Sequence, residues 1–178
     1  MDHNFYTGNR NRLYASLTPG GILVLFAGQL LRKSADADYP FYANRNFVYL
    51  TGIEQKESVL LAYKDACGKV TEQLYVLPKD GLQERWTGYR LLPREATEIS
   101  GIADVRCLDD FASAVHALAT GGGYDRFYLD LHRQAPEDRD EQGHIFGCKM
   151  GEYSQIVEDE KCWALREKTP HYFKVLIL

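Results

Sequence analysis

Apolar residues fall in short blocks along this chain, and the blocks differ in period. Residues 22–27 (ILVLFA) are apolar without alternation, as in a strand buried on both faces. On such a strand Val24 and Phe26 face one side of the sheet, and Leu23 and Leu25 the other. Residues 58–63 (SVLLAY) and 73–77 (QLYVL) predict two more strands. The segment between them carries Gly68, so the pair reads as an antiparallel hairpin. Residues 46–51 (NFVYLT), rich in aromatic and β-branched types, predict a further strand. It would end at Thr51-Gly52, where glycine permits a positive φ. Short strands are expected at 104–108 and 127–131.

Helical signals alternate with these. Residues 5–17 predict a helix stopped by Thr18-Pro19-Gly20-Gly21. Residues 92–99 predict a second, with Pro93 in its first turn. A third runs through Phe111, Val115 and Leu118, with Asp109 or Asp110 as its cap and Gly121-Gly122-Gly123 as its stop. Residues 132–144 are highly charged and read as a loop, and 153–167 predict a terminal helix. Interleaved strands and helices with one hairpin imply an α/β domain on a mixed β-sheet, with helices on both faces.

Composition narrows the function classes. A chain of 178 residues with 45% hydrophobic and 26% charged residues suits one folded domain and excludes a disordered chain. The net charge is -4 and no basic stripe is visible, so neither nucleic acid nor an anionic membrane is an expected partner. The longest apolar run, 22–27, is far too short to span a bilayer, and the N-terminus has no signal-peptide pattern. Cys67, Cys107, Cys148 and Cys162 are widely spaced, which points to reduced thiols in a cytoplasm.

No constellation names an activity. His3, His116, His132, His144 and His171 form no spaced metal pair, and His116 reads as a surface or boundary residue. Asp36 and Asp38 would share one side of an extended segment, as metal-binding carboxylates sometimes do. Ordering of a local turn by Asp36 is the simpler reading. Ser34 and Ser58 lack a nucleophile-elbow context. The triple glycine follows a helix and is a stop, not a phosphate loop. No catalytic residue and no metal ligand is assigned.

Three segments taken in order do carry a resemblance. They are Lys33-Ser34-Ala35-Asp36-Ala37-Asp38-Tyr39-Pro40-Phe41, then Asn46-Phe47-Val48-Tyr49-Leu50-Thr51-Gly52, then Glu84-Arg85-Trp86-Thr87-Gly88-Tyr89-Arg90. Their order and spacing resemble the N-terminal domain of the aminopeptidase P, prolidase and creatinase family. The likeness covers about residues 10–131. It implies the creatinase/prolidase N-terminal fold, whose sheet is similar to the ribonuclease H arrangement. It also implies a parent Xaa-Pro aminopeptidase, or dipeptidase, which releases the N-terminal residue before proline.

The family's catalytic domain has a pita-bread fold and binds two divalent metals, commonly manganese, through two Asp, one His and two Glu. Leu165-Arg166-Glu167-Lys168-Thr169-Pro170 resembles the junction where that domain begins. The chain is therefore expected to be one N-terminal domain over 1–178, with 150–178 as linker and terminal helix. It would be inactive alone and would hold no cofactor itself. Its expected partners are its own catalytic domain, further copies in a homo-oligomer and, in the parent, proline-containing peptides. The resemblance marks Trp86, Arg85, Arg90, Tyr39 and Asp36 as candidates for substrate access or subunit contact. In relatives a Trp in this motif extends towards the active-site mouth of another subunit. Arg85 and Arg90 could pair with Asp36, Asp38 or Glu84 and tie two loops together. One departure is Tyr42, where many relatives have Arg. The alternatives are a catalytically inert peptide- or protein-binding module and a free-standing metal nuclease using Asp36 with Asp130. The acidic balance argues against the nuclease.

Overall fold

A computed structural model describes residues 2–30, 33–35 and 37–130. Five strands form one mixed sheet: β1 (Gly21–Phe26), β2 (Val59–Lys64), β3 (Val70–Val76), β4 (Val105–Cys107) and β5 (Arg126–Leu129). Their order is β4-β3-β2-β1-β5. β1 pairs with β2 and β2 with β3 antiparallel, while β1–β5 and β3–β4 are parallel. The β2–β3 hairpin turns on Asp65, whose Oδ1 accepts from the N–H groups of Cys67 and Lys69 at 2.9 Å each. Gly68 completes that turn at φ 86.

β1 is interior, as its unbroken apolar run requires. Leu23 and Leu25 join one core with Phe47, Leu50, Leu60 and Leu74. Ile22 and Val24 join the other, with Leu61, Tyr75, Phe111 and Val115. The first core lies under α1 (His3–Ser16), α2 (Arg45–Thr51) and α4 (Pro93–Ser100). The second lies under α5 (Phe111–Thr120).

Two expectations are corrected. Residues 46–51 do not form a strand; Arg45–Thr51 is the helix α2. Asn44 is its N-cap, and its Oδ1 accepts from the N–H groups of Asn46 at 2.8 Å and Phe47 at 3.1 Å. Gly52 closes it in the left-handed region at φ 72. Phe47, Leu50 and Thr51 are buried while Tyr49 is exposed, a helical spacing that outweighs the strand propensity of the types. The second correction concerns α5. A 3-10 turn over Leu108–Asp110 leads into it, and Asp110 makes no side-chain cap. The loop expected at 132–144 and the helix expected at 153–167 lie outside the described residues.

A buried polar knot fixes α1, which has no apolar stripe. Arg10 is fully buried. Its Nε donates to Glu72 Oε2 at 2.8 Å, and its Nη1 to the carbonyls of Leu50 at 2.8 Å and Ser100 at 2.9 Å. Those carbonyls belong to the last turns of α2 and α4, where helices carry unsatisfied acceptors and partial negative charge. Tyr14 Oη donates to the same Glu72 oxygen at 2.8 Å. Burial, then the Glu72 carboxylate, pushes the Tyr14 phenol well above its usual range.

Candidate functional site

Between β3 and α4 the chain leaves the sheet as an arm, residues 77–92. Asp80 starts it: its Oδ1 accepts from the N–H groups of Leu82 at 3.0 Å and Gln83 at 3.1 Å. A single helical turn follows, α3 (Glu84–Thr87), and Gly88 at φ 89 ends it. Gly88 reverses the chain towards its start. Arg90 Nη1 then reaches the carbonyl of Pro78 at 2.8 Å, and Lys79 Nζ donates to the carbonyl of Arg90 at 2.8 Å.

Side chains brace this geometry. Lys79 Nζ lies 3.0 Å from Glu84 Oε2 and 3.6 Å from the centroid of the Tyr89 ring. Tyr89 Oη donates to the Glu95 carboxylate, 2.6 Å from Oε2 and 2.8 Å from Oε1. Glu95 Oε2 also accepts from the Leu92 N–H at 2.8 Å, which caps the start of α4. The Tyr89 bond, then the Leu92 bond, holds the Glu95 carboxyl below its ordinary value. The same Tyr89–Glu95 bond raises the Tyr89 phenol.

The arm presents apolar surface. Trp86 is 90% exposed, Leu82 75% and Tyr89 61%. Trp86 therefore does not fold back to cover the sheet edge. Of the other candidates, Tyr39 is exposed with the Lys33 ammonium 5.8 Å above its ring, and Arg85 is exposed. Arg90 is half-buried at the base of the arm. Its expected ion pair with Asp38 or Glu84 does not form: Glu84 is taken by Lys79, and Arg90 binds Pro78. Asp36 lies outside the described residues. Trp86, Arg85 and Arg90 thus share one arm, but the structure does not draw them into a single cluster.

Asp130, invoked for a nuclease centre, serves the fold. Its Oδ2 accepts from Asn44 Nδ2 at 3.0 Å and Asn46 Nδ2 at 2.9 Å, tying the end of β5 to the start of α2. Among the described residues no three His, Cys, Asp or Glu side chains converge on a point that could hold a metal. Sequence reasoning missed Lys79 and Glu95. Glu95 was findable, because a Glu in the first turn after Pro93 can reach back to the backbone N–H that precedes the helix.

Residues 6–127 match the family model described as the aminopeptidase P N-terminal domain. Xaa-Pro aminopeptidase 1 of Streptomyces coelicolor is 30% identical over 168 residues, 86% of this chain and 33% of that protein. The Xaa-Pro aminopeptidase of Haemophilus influenzae is 31% identical over 111 residues, 60% of this chain and 24% of that protein. A solved structure described as an aminopeptidase P from Bacillus anthracis superposes with a TM-score of 0.75 at 32% identity, over 97% of this chain and 38% of that one. Aminopeptidase P from Escherichia coli with the inhibitor Pro-Leu gives a TM-score of 0.67 at 26% identity, over 76% of this chain and 30% of that one. The chain thus spans about a quarter to a third of the length of these two curated relatives.

Proposed function

The chain belongs to the family of aminopeptidase P N-terminal domains, and from that premise we propose that it is the non-catalytic domain of a metal-dependent Xaa-Pro aminopeptidase or dipeptidase. The parent would remove the residue that precedes proline at a peptide's N-terminus. The two divalent ions, commonly manganese, would bind in the parent's catalytic domain. The described residues here do not suit them, because no three ligating side chains converge. This domain would contribute to oligomer assembly and to the control of substrate access. The free thiols Cys67 and Cys107 fit a reducing, cytoplasmic setting.

The observation that carries the access role is Trp86, held 90% exposed on a braced arm. A large aromatic ring in water gains free energy when it meets an apolar partner. Proline rings pack well on aromatic faces, so a proline-containing peptide suits the indole. Leu82 and Tyr89 on the same arm are also exposed and add apolar surface of the kind that interfaces bury.

The direct test of the non-catalytic role is an assay of this chain alone on an Xaa-Pro peptide with added manganese. The expected result is no turnover, because a two-metal hydrolase needs a donor set to hold its ions. Turnover by the pure chain that a chelator abolishes would contradict the proposal.

A further inference from the structure

At the base of the arm a cleft of 490 Å³ opens between residues 52–56 and 87–91. Leu30, Phe41, Ile53, Leu77 and Leu91 make its walls largely apolar. Three charged side chains also line it: Lys56 and Arg90 against Glu54. Cationic groups therefore outnumber anionic ones on the lining.

Two residues of this lining each carry a buried side-chain donor that has no acceptor among the described residues. Gln55 Oε1 accepts from the Leu91 N–H at 2.6 Å. That bond fixes which way the amide points and leaves Nε2 buried without a partner. Arg90 spends Nη1 on the Pro78 carbonyl, while its Nε is buried without a partner. No carboxylate among the described residues pairs with the guanidinium. The Nε edge of a guanidinium matches a carboxylate in shape and charge. Buried donors of this kind are rare in native proteins, and each calls for a partner such as a water, an ion or a ligand.

We propose that this cleft binds a carboxylate joined to an apolar group, the chemistry of the C-terminal residue of a short peptide. The carboxylate takes the Arg90 Nε edge and the Gln55 amide. The apolar group lies against Phe41, Ile53 and Leu77. Both donors are closed off from water in the free chain, so binding requires the two side chains to re-orient towards the cleft. The site is separate from Trp86 and does not depend on the access role of the arm.

The probe is N-acetyl-L-leucine, with N-acetyl-L-leucinamide as the uncharged control. Each is titrated into the full chain labelled with 15N, following the side-chain N–H signals of Arg90 and Gln55. The acid is expected to saturate at a Kd on the order of millimolar and to shift both signals. The amide should bind at least about tenfold more weakly, the loss that follows from removing one charge-assisted contact. Gln55→Glu keeps an acceptor for the Leu91 N–H but replaces the Nε2 donor with a carboxylate oxygen. It should weaken the acid at least about tenfold with an unchanged thermal midpoint. Should Gln55→Glu fail to fold, Arg90→Lys carries the same test, since it keeps the charge and removes the fork. Equal binding of acid and amide, no shift up to about 50 mM acid, or wild-type affinity in a folded variant overturns the proposal.

Discussion

The Arg10 knot and the Lys79 arm use the same three groups, a cation, a carboxylate and a phenol, in opposite surroundings. In the knot, Arg10 is fully buried and Glu72 and Tyr14 close around it. In the arm, exposed Lys79 meets an exposed Tyr89 and a half-buried Glu84. Burial makes the first set costly to break, because removing one member leaves charge and carbonyls without partners. Solvent around Lys79 and Tyr89 screens the second set, so it stabilises the fold far less than the first. The knot therefore holds α1, α2 and α4 to β3. The arm's brace fixes a direction for Trp86 and adds little to the fold.

The widest separation between the two regions should come from Arg10→Ala. It strips partners from Glu72, Leu50 and Ser100 at once, so a loss of about 3–5 kcal/mol is expected in urea denaturation. A loss no larger than that of a surface substitution would erase the contrast. Leu25→Ala calibrates the sheet interior. Leu25 is 2% exposed on the interior strand β1, and its truncation should cost about 2–5 kcal/mol. An unchanged midpoint would deny β1 its interior place.

Tyr89→Phe should barely move the midpoint, as expected of an exposed contact, yet loosen the arm. It removes the bond to Glu95 and so changes a pH response. Glu95 is held below its ordinary value, so its contribution is present above about pH 4.3 and fades as pH falls through the depressed value. Tyr89 is raised, so its contribution is present below about pH 10 and fades as pH rises through the raised value. Fluorescence anisotropy of Trp86, read in a Trp163→Phe background, should be flat between these limits and fall outside them. Tyr89→Phe should lower the plateau and shrink the alkaline limb to the part carried by Lys79, whose ammonium on Glu84 also loses its charge there. A profile identical to the wild type would mean that the brace does not hold the arm.

How much of this was legible differs between the same two regions. β1 and the β2–β3 hairpin were readable because burial on both faces leaves an unbroken apolar run, and Gly68 marks the turn. The knot was not, because Arg10 meets its partners 40, 62 and 90 positions away. No local period records such meetings. α2 was misread because Phe47, Val48, Tyr49 and Thr51 carry strand propensity, and the deciding signals were Asn44 before it and Gly52 after it. The Trp86 segment was legible as a motif. Its exposure was not, since a loop has no period that tells inside from outside.

The central claim is that Trp86 serves substrate access and not the fold. The most direct measurement is Trp86→Ala in the proposed parent Xaa-Pro aminopeptidase, with peptide turnover and the urea midpoint read on the same preparation. The value of kcat/KM for an Xaa-Pro peptide should fall about tenfold, a change of about 1.4 kcal/mol, with the midpoint within about 0.5 kcal/mol of wild type. Unchanged turnover, or a midpoint loss as large as that of Arg10→Ala, would contradict it.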